Sequence, residues 1–303
     1  MIDVIGDIHG YADKLSALLL KLGYSQQNGV YAHPERTVLF VGDYIDRGPK
    51  TRETLQIVRR MVEHGQATAL MGNHEYNALC FHFQESEGGH LRKHLIKNIL
   101  QHYATLEQFQ NRQEEYEDYL EWFKSLPLSY ETKTFRAVHA CWDAHHIETL
   151  RNVLPDGCLT DELIYLSAKK GTAFYLAVNE TLKGKEMPLP DGVHFEDKEG
   201  TRRKLIRVKW WEDPKRANYK HHSVINMEGL PEDPIDPALL DSHWHYDESE
   251  KPVFFGHYWL SGQPMLFRSN ICCLDYSVAK NGPLVAYRFD GEQQLDASKF
   301  VMV

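Results

Sequence analysis

One short segment, Gly42-Asp43-Tyr44-Ile45-Asp46-Arg47-Gly48, places the tightest constraint on how this chain can fold. It directly follows Thr37-Val38-Leu39-Phe40-Val41, a short apolar run that is rich in Val and Phe and predicts a buried strand. The glycines at both ends of the segment permit a sharp turn and a close approach of the backbone to other groups. Two carboxylates and an arginine therefore lie on a turn at the carboxyl end of a strand, where open α/β sheets bind ligands.

The two carboxylates of this turn, Asp43 and Asp46, would repel each other if both were buried and nothing positive lay nearby. A bound metal ion removes this repulsion, and a neighbouring protonated histidine or an arginine does the same. We expect Asp43 to face a metal ion and Asp46 to face a histidine.

The same pattern of a strand followed by a polar turn occurs twice more near the amino terminus. Ile2–Ile5 predicts a strand that leads into Gly6-Asp7-Ile8-His9-Gly10, and Gln66–Met71 predicts one that leads into Gly72-Asn73-His74-Glu75. Asp7 taken alone is equally compatible with a helix cap. Successive strand–helix units predict a mostly parallel sheet with right-handed crossovers, so the three turns meet at one sheet edge. The crevice at that edge would contain Asp7, His9, Asp43, Asp46, Arg47, Asn73 and His74.

Residues 76–127 differ from their surroundings because Glu, Gln, His and Tyr are frequent and strand alternation is missing. We interpret them as a helical insertion that forms a cap within a single domain, which covers residues 1–303. The aromatic residues Tyr116, Tyr119 and Phe123 recur at helical spacing, and we interpret them as core packing rather than as a ligand site.

Residues 155–250 predict additional helices, a hairpin and a loop near the crevice. The hairpin strands are expected at Val193–Phe195 and Leu205–Val208, on either side of a turn at Lys198-Glu199-Gly200.

Two later strands each end in a histidine. Phe135–Val138 leads into His139, and Pro252–Phe255 leads into Gly256 and His257. Oxygen and nitrogen ligands without a thiolate suit manganese, iron or zinc better than calcium or magnesium alone. Six protein ligands are too many for one catalytic ion, but they suffice for two ions if a carboxylate bridges them, and such a pair can clamp a phosphate. The candidate ligands are Asp7, His9, Asp43, Asn73, His139 and His257.

The three blocks at 6–10, 42–48 and 72–75 resemble the signature of the calcineurin-like metallophosphoesterases. The pair Asp46-Arg47 is similar to the phosphoprotein phosphatase branch, which includes bacterial phosphatases and symmetrical dinucleoside tetraphosphate hydrolases. The resemblance covers residues 1–75, and more loosely His139 and His257. It implies an α/β fold: a four-layer α/β/β/α sandwich of two mixed sheets with a helical insertion.

The resemblance also implies a role for each candidate residue. Asp7 and His9 would bind the first of two divalent ions, manganese being the first choice and iron or zinc the alternatives. Asp43 would bridge the ions, and Asn73, His139 and His257 would bind the second. A hydroxide that bridges the metals would attack phosphorus in line. His74, oriented by Asp46, would protonate the leaving group. Arg47 would bind the phosphate oxygens. A second phosphate-binding arginine is also implied, and Arg202, Arg203, Arg207 and Arg216 all stay open for that role.

Three functions fit this interpretation. The first is a phosphomonoester hydrolase that resembles the serine/threonine phosphatases and acts on phosphoproteins or small phosphate esters. The alternative is a bis(5'-nucleosyl)-tetraphosphatase, which would use the same metals on diadenosine tetraphosphate. A remote third is a metal-binding scaffold without catalysis. This third function is disfavoured, because all six ligand candidates are present, and so are His74, Asp46 and Arg47.

Charge and composition limit the partners. A formal net charge of -9 argues against a protein that binds nucleic-acid duplexes, which normally present a basic face. No apolar run approaches the length of about 20 residues that a membrane span needs. The chain begins directly with a predicted strand, so we expect no signal peptide. Five cysteines without a disulfide or zinc-ribbon spacing favour a reducing cytoplasm.

Overall fold

The computed structural model describes residues 1–154, 156–196, 202–224, 229–240 and 245–303, apart from the side chains of Glu196 and Arg216. The strands are β1 Ile2–Ile5, β2 Ser25–Gln27, β3 Val30–Ala32, β4 Thr37–Phe40, β5 Ala67–Ala69, β6 Ser129–Glu131, β7 Arg136–Val138, β8 Glu186–Pro188, β9 Phe195–Glu196, β10 Arg202–Arg203, β11 Leu205–Arg207, β12 Val253–Phe255, β13 Ile271–Cys273, β14 Val285–Phe289 and β15 Phe300–Met302. The helices are α1 Ala12–Lys21, α2 Thr51–Glu63, α3 Asn73–His82, α4 Ile96–Gln108, α5 Gln113–Lys124, α6 Ala144–Val153, α7 Asp161–Ser167, α8 Ala173–Lys183 and α9 Tyr219–His222.

Two mixed sheets form the centre of the fold. The first has the strand order β15-β14-β1-β4-β5, in which β1, β4 and β5 run parallel and β14 and β15 pair antiparallel. The second has the order β13-β12-β7-β6, in which β12 runs parallel to both of its neighbours. The parallel β1-β4-β5 arrangement is the one that the strand–helix units predict.

The two sheets pack face to face, and helices cover their outer faces. Successive strand residues point to opposite faces of a sheet, so each central strand contributes to two core clusters. Val4 of β1 and Phe254 of β12 share one cluster, which lies between the sheets. Ile5 and Phe255 are the neighbours of these residues in sequence. They belong to the other core cluster, which also contains residues of α1, α2, α6 and α8. This arrangement confirms the predicted four-layer α/β/β/α sandwich.

The sheet directions bring the candidate residues to one place. The carboxyl ends of β1, β4 and β5 lie at the same edge because these strands are parallel. Backbone hydrogen bonds tie the turns together there: Ile8 N–H donates to Asp43 O at 3.0 Å, and Gly256 N–H donates to His139 O at 2.8 Å. The edges of both sheets therefore contribute to a single crevice.

The segment after the third turn consists of helices. The helix α3 begins at Asn73 itself, and α4 and α5 follow within residues 76–127. Tyr116, Tyr119 and Phe123 on α5 are all buried in the main core cluster, as expected from their spacing.

The predicted hairpin of Val193–Phe195 with Leu205–Val208 is wrong in its pairing. The strand β11 pairs with β8, and β9 pairs with the short strand β10 instead. Ile206 and Met187 oppose each other in the β8–β11 pair, and both are almost fully buried in a small separate core. Burial of these two side chains selects the longer-range pair. The expected turn at Lys198-Glu199-Gly200 lies outside the described residues.

Within the described ranges, the longest apolar helices are too short or too polar to cross a lipid bilayer.

Candidate dimetal centre

The turn at residues 42–48, called the central turn below, adopts a backbone conformation that non-glycine residues rarely take. Asp43, Asp46 and Arg47 have φ values of 55°, 68° and 64°. Such left-handed geometry costs free energy and persists only where the surroundings enforce it. Gly42 is required here, since a Cβ at this position would lie 2.6 Å from the backbone of Gly72.

Glu75 is the residue that enforces this turn. Its fully buried carboxylate accepts hydrogen bonds from the backbone N–H groups of Asp43 at 2.9 Å, Tyr44 at 2.8 Å, Ile45 at 3.3 Å and Gly72 at 3.0 Å. Burial and the charge of Asp43 raise the pKa of Glu75 to about 7. Sequence reasoning gave Glu75 no role; the available signal was an acidic residue in the first turn of a helix that starts at a strand end.

Replacement of Glu75 by glutamine should therefore disturb the central turn. The amide keeps the shape of the side chain but replaces one acceptor with a donor that faces backbone N–H groups. We expect the free energy of unfolding to fall by about 2 kcal/mol and the affinity for Mn²⁺ to fall roughly tenfold. Calorimetry would measure both, with Glu53→Gln on the exposed face of α2 as the control. Unchanged melting and unchanged Mn²⁺ affinity would show that Glu75 does not hold the turn.

The Asp43 carboxylate lies at the centre of a group of histidines. Its Oδ2 is 3.6 Å from His9 Nε2, 3.5 Å from His139 Nε2 and 4.0 Å from His74 Nε2. Its Oδ1 accepts the backbone N–H of His74 at 2.9 Å. Although burial opposes the effect, the charges of His139 and His74 hold the pKa of Asp43 well below its usual range. Asp43 is therefore a carboxylate that can face cations on two sides.

Two of these histidines are oriented by backbone carbonyls. His9 Nδ1 lies 3.1 Å from Ile45 O, and His139 Nδ1 lies 2.9 Å from Val41 O. A carbonyl oxygen only accepts hydrogen bonds, so each Nδ1 carries a hydrogen, and Nε2 is the ring nitrogen that can bind a metal ion once it is unprotonated. This is the arrangement by which proteins prepare a histidine to bind a metal ion.

The other ligand candidates complete the crevice. Asn73 Oδ1 lies 2.6 Å from His257 Nδ1 and 3.1 Å from His139 Nε2. Asp7 Oδ2 accepts the backbone N–H of His257 at 3.1 Å. A Cβ on Gly256 would come within 1.9 Å of Asp7 Oδ1, so only glycine permits this approach.

The donor set fits a pair of cations. Asp7 Oδ1, His9 Nε2 and His257 Nε2 are buried and have no hydrogen-bond partner among the described residues. Burial, Asp275 and Asp43 together raise the pKa of Asp7 well above its usual range, as expected for a carboxylate that needs a cation beside it. The ligand atoms of Asp43, His139 and His257 lie within 4.8 Å of one another, and so do those of His9, Asp43 and His74. Asp43 belongs to both groups.

Asp46 holds His74 from the side away from Asp43. Its Oδ2 lies 2.5 Å from His74 Nδ1, while its Oδ1 lies 2.8 Å from His102 Nδ1 and accepts Thr105 Oγ1–H at 2.7 Å. His102 Nε2 lies in turn 2.7 Å from the hydroxyl of Tyr116. Although burial opposes it, Asp43 and Asp46 raise the pKa of His74. The insertion thus supplies the partners that fix Asp46, which sequence reasoning missed.

Arg47 lies at the open side of the crevice. It is exposed, and its guanidinium carbon is 5.4 Å from the centroid of the Trp259 ring. The same ring is 5.6 Å from the ring of His9, and the backbone N–H of Trp259 donates to Asp275 Oδ2 at 2.6 Å. Trp259 therefore places Arg47 beside the candidate ligands.

The four candidate arginines from the middle of the chain differ in position. Arg202 and Arg203 are exposed on β10, and the side chain of Arg216 lies outside the described residues. Arg207 on β11 is half-buried. Burial lowers the pKa of His257 well below its usual range, and the charge of Arg207 lowers it further, so Arg207 lies near the crevice.

A third acidic group, made by Asp143, His146 and Glu180, has ligand-like spacing but already contains a cation. Lys185 Nζ lies 2.7 Å from Asp143 Oδ2 and 3.1 Å from Glu180 Oε2. This group is an ion-pair network rather than a metal site.

This chain is similar to known proteins in sequence and in fold. The curated relatives include several bacterial proteins named asymmetrical bis(5'-nucleosyl)-tetraphosphatase PrpE. The one from Oceanobacillus iheyensis is 33% identical over 140 residues, which are 46% of this chain and 54% of the relative. The one from Halalkalibacterium halodurans is 47% identical over 73 residues, which are 24% of this chain and 30% of the relative. The matches thus span about half or less of the length of these relatives.

Among solved structures, a protein serine/threonine phosphatase from Saccharomyces cerevisiae matches with a TM-score of 0.50 and 13% identity, over 100% of this chain and 78% of that one. This likeness concerns the fold alone. The sequence model of the family described as calcineurin-like phosphoesterase matches residues 1–258. The match covers most of the chain, which therefore belongs to the calcineurin-like phosphoesterase family.

Proposed function

We propose that this chain is a phosphoric ester hydrolase that depends on two divalent metal ions. The observation that carries the proposal is the position of Asp43, which is shared between two histidine groups while the His74–Asp46 pair lies beside it. Structural ion pairs alone would not leave buried ligand atoms of Asp7, His9 and His257 without a partner among the described residues.

Each cation would have its own ligands and would share Asp43. Asp7 and His9 would hold the first ion, and Asn73, His139 and His257 would hold the second. The mixed nitrogen and oxygen set favours manganese, with iron or zinc as alternatives. When bound, the two ions supply Lewis acidity that activates water at neutral pH and neutralises charge on the phosphate.

His74 is the candidate general acid. Its Nδ1 is engaged by Asp46, so its Nε2 is the nitrogen that faces Asp43 and the crevice. Its raised pKa keeps the proton on the imidazole to a higher pH than in a free histidine. A proton from Nε2 can then pass to the leaving oxygen as the bond to phosphorus breaks.

Arg47 and Arg207 would bind the oxygens of the phosphate that reacts. A guanidinium group presents parallel N–H donors that match two phosphate oxygens. Arg47 is held on Trp259 at the open side, while Arg207 lies on the side of His257. Charge that develops on the phosphate would then meet cationic donors from two directions.

Two substrate classes compete for this site. The first is a phosphomonoester, the substrate class of serine/threonine phosphatases, and this chain shares its fold with one such protein from S. cerevisiae. The second is a dinucleoside tetraphosphate, and the names of the curated relatives favour it, although they specify the asymmetrical reaction rather than the symmetrical one. A scaffold without catalysis is disfavoured, because the candidate ligands, acid and arginine all lie in one crevice.

A turnover screen tests the proposal. Metal-stripped protein is reconstituted with Mn²⁺, and kcat/KM is compared for p-nitrophenyl phosphate, a phosphopeptide and diadenosine tetraphosphate. We expect Mn²⁺-dependent release of product from at least one of them, and the preferred substrate selects between the two classes. Metal binding without turnover of any of the three would contradict the proposed hydrolase.

A further inference from the structure

The buried carboxylate of Asp46 has hydrogen-bond partners on both of its oxygens. Its Oδ2 faces Nδ1 of His74, the candidate acid, at 2.5 Å, and its Oδ1 faces two side chains of α4. The terminal torsion of an aspartate side chain has broad energy minima, so the rotamer of Asp46 does not by itself fix the plane of the carboxylate. The donors on Oδ1 therefore determine where Oδ2, and with it the ring of His74, is held.

Thr105 is the first of these donors, and it contacts Asp46 at two points. Its hydroxyl donates to Asp46 Oδ1 at 2.7 Å and accepts the backbone N–H of Asp46 at 3.0 Å. The side chain is fully buried, so water does not compete for these bonds. One hydroxyl thus orients the carboxylate and also stabilises the left-handed backbone of Asp46, whose φ is 68°.

His102 is the second donor, and Tyr116 favours the tautomer that this role requires. An ionised carboxylate only accepts hydrogen bonds, so His102 Nδ1, at 2.8 Å from Asp46 Oδ1, carries a hydrogen. Burial and the charge of Asp46 raise the pKa of Tyr116 well above its usual range, so the hydroxyl keeps its proton. Because this hydroxyl lies 2.7 Å from His102 Nε2, it can donate to a neutral ring whose hydrogen is on Nδ1.

One face of α4 makes all of these contacts. His102, Thr105 and Gln108 follow one another at intervals of three residues, and such positions are neighbours on a helix surface. Gln108 Nε2 donates to Gly48 O at 3.1 Å, and Gln108 Oε1 accepts the backbone N–H of Thr51 at 2.5 Å. The helix is therefore attached to the end of the central turn as well as to Asp46, and it cannot shift without breaking several hydrogen bonds.

We propose that His102 and Thr105 are positioning residues for the general acid, which act on His74 through Asp46. The inference rests on the proposed function and gives the helical insertion a role in the reaction. In the step concerned, the proton on His74 Nε2 passes to the leaving oxygen as the bond from that oxygen to phosphorus breaks, while His102 and Thr105 keep their own protons. Misplacement of a reacting group by about 1 Å can cost on the order of 10²-fold in rate.

Two substitutions of His102 separate this role from a structural one. Asparagine places an amide N–H near the former Nδ1 and keeps the donor to Asp46, whereas glutamine reaches the position of Nε2 and keeps only a partner for Tyr116. With Mn²⁺ bound, we expect His102→Gln to lower kcat about 10- to 100-fold on phenyl phosphate, which has a poor leaving group, with little change in KM. The loss on p-nitrophenyl phosphate should be smaller. His102→Asn should stay within about threefold of wild type on both substrates.

Thr105 offers a second, independent pair of variants. Thr105→Val removes the hydroxyl but keeps the shape of the side chain, and it should reproduce the selective loss on phenyl phosphate. Thr105→Ser keeps the hydroxyl and should restore most of the activity. Tyr103→Phe is the control on the same helix, since Tyr103 is exposed and its hydroxyl donates to Glu107. Equal losses on the two substrates, or a His102→Gln variant as active as His102→Asn, would overturn the inference.

A readout without turnover separates this inference from the proposed function. The hydrogen on His74 Nδ1 is expected to give a downfield proton resonance in the metal-free protein because of its bond to Asp46, and the loss of that resonance in His74→Asn identifies it. His102→Gln and Thr105→Val should shift it, while His102→Asn and Thr105→Ser should leave it in place. An unchanged resonance in all four variants would overturn the positioning role while leaving the hydrolase intact. The expected shifts in a protein that hydrolyses neither phosphate would support the positioning of His74 and contradict the hydrolase.

Discussion

Asp43→Asn is expected to remove both metal ions and to lower kcat/KM by on the order of 10³-fold or more. The substitution keeps the size of the side chain, and the amide oxygen can still accept the backbone N–H of His74. What it removes is the negative charge that three histidine Nε2 atoms approach within 4.0 Å. Because this carboxylate belongs to both ligand groups, one substitution should affect both cations.

Metal content and activity measured on the same sample would check this expectation. Asp13→Asn, on the exposed face of α1, is the control, since Asp13 is exposed and pairs with Lys50. If Asp43→Asn lost one ion and kept the other at full affinity, Asp43 would be a ligand of a single metal rather than a bridge. Retention of both ions would refute its assignment as a shared ligand.

His74→Asn should lower kcat by about 10²- to 10⁴-fold on a substrate with a poor leaving group. The amide cannot donate a proton to the departing oxygen, which must then leave as a high-energy alkoxide. On p-nitrophenyl phosphate the loss should be smaller, because p-nitrophenolate is stable without a proton. The difference between the two substrates is the measurement that separates an acid from a residue that only binds or positions.

The pH dependence follows from the same pair. The charges of Asp43 and Asp46 raise the pKa of His74 against the effect of burial, so the proton stays on the ring to a higher pH than in a free histidine. Activity should decline as pH rises through this pKa. Asp46→Asn removes one of the two charges and should shift the decline to lower pH.

The control for His74 is His64→Asn, because His64 is exposed at the end of α2 and its Nδ1 lies 2.8 Å from the backbone carbonyl of Arg60. Equal losses of kcat for the poor and the good leaving group in His74→Asn would show that His74 is not the acid.

The strand-end pattern was sufficient to predict the parallel strands and the residues that meet at their carboxyl ends. The reason is local: each turn follows a short apolar run directly, and parallel strands share one edge. The role of Glu75 could not be predicted, because it depends on a turn some 30 residues earlier in the chain. Glu75 accepts hydrogen bonds from the backbone N–H groups of that turn. The sequence pattern around a single buried acid does not indicate which distant backbone groups will be its partners.

The roles of His102 and Thr105 could not be predicted for a related reason. Their contacts with Asp46 depend on how α4 docks over the central turn, and nothing within 76–127 specifies that orientation. The β8–β11 pair was likewise decided by burial of Ile206 against Met187 rather than by proximity in sequence. Among the candidate phosphate-binding arginines, Arg207 differs from Arg202 and Arg203 because it lies on β11 and is half-buried, which the sequence alone does not indicate.

The central claim is that two cations share Asp43, and a titration of the metal-stripped protein with Mn²⁺ tests it most directly. Electron paramagnetic resonance counts free Mn²⁺ and detects magnetic coupling between bound ions. We predict two Mn²⁺ bound per chain, with a coupled signal that disappears in Asp43→Asn. A single bound Mn²⁺ per chain, or two that show no coupling, would contradict the shared-carboxylate centre.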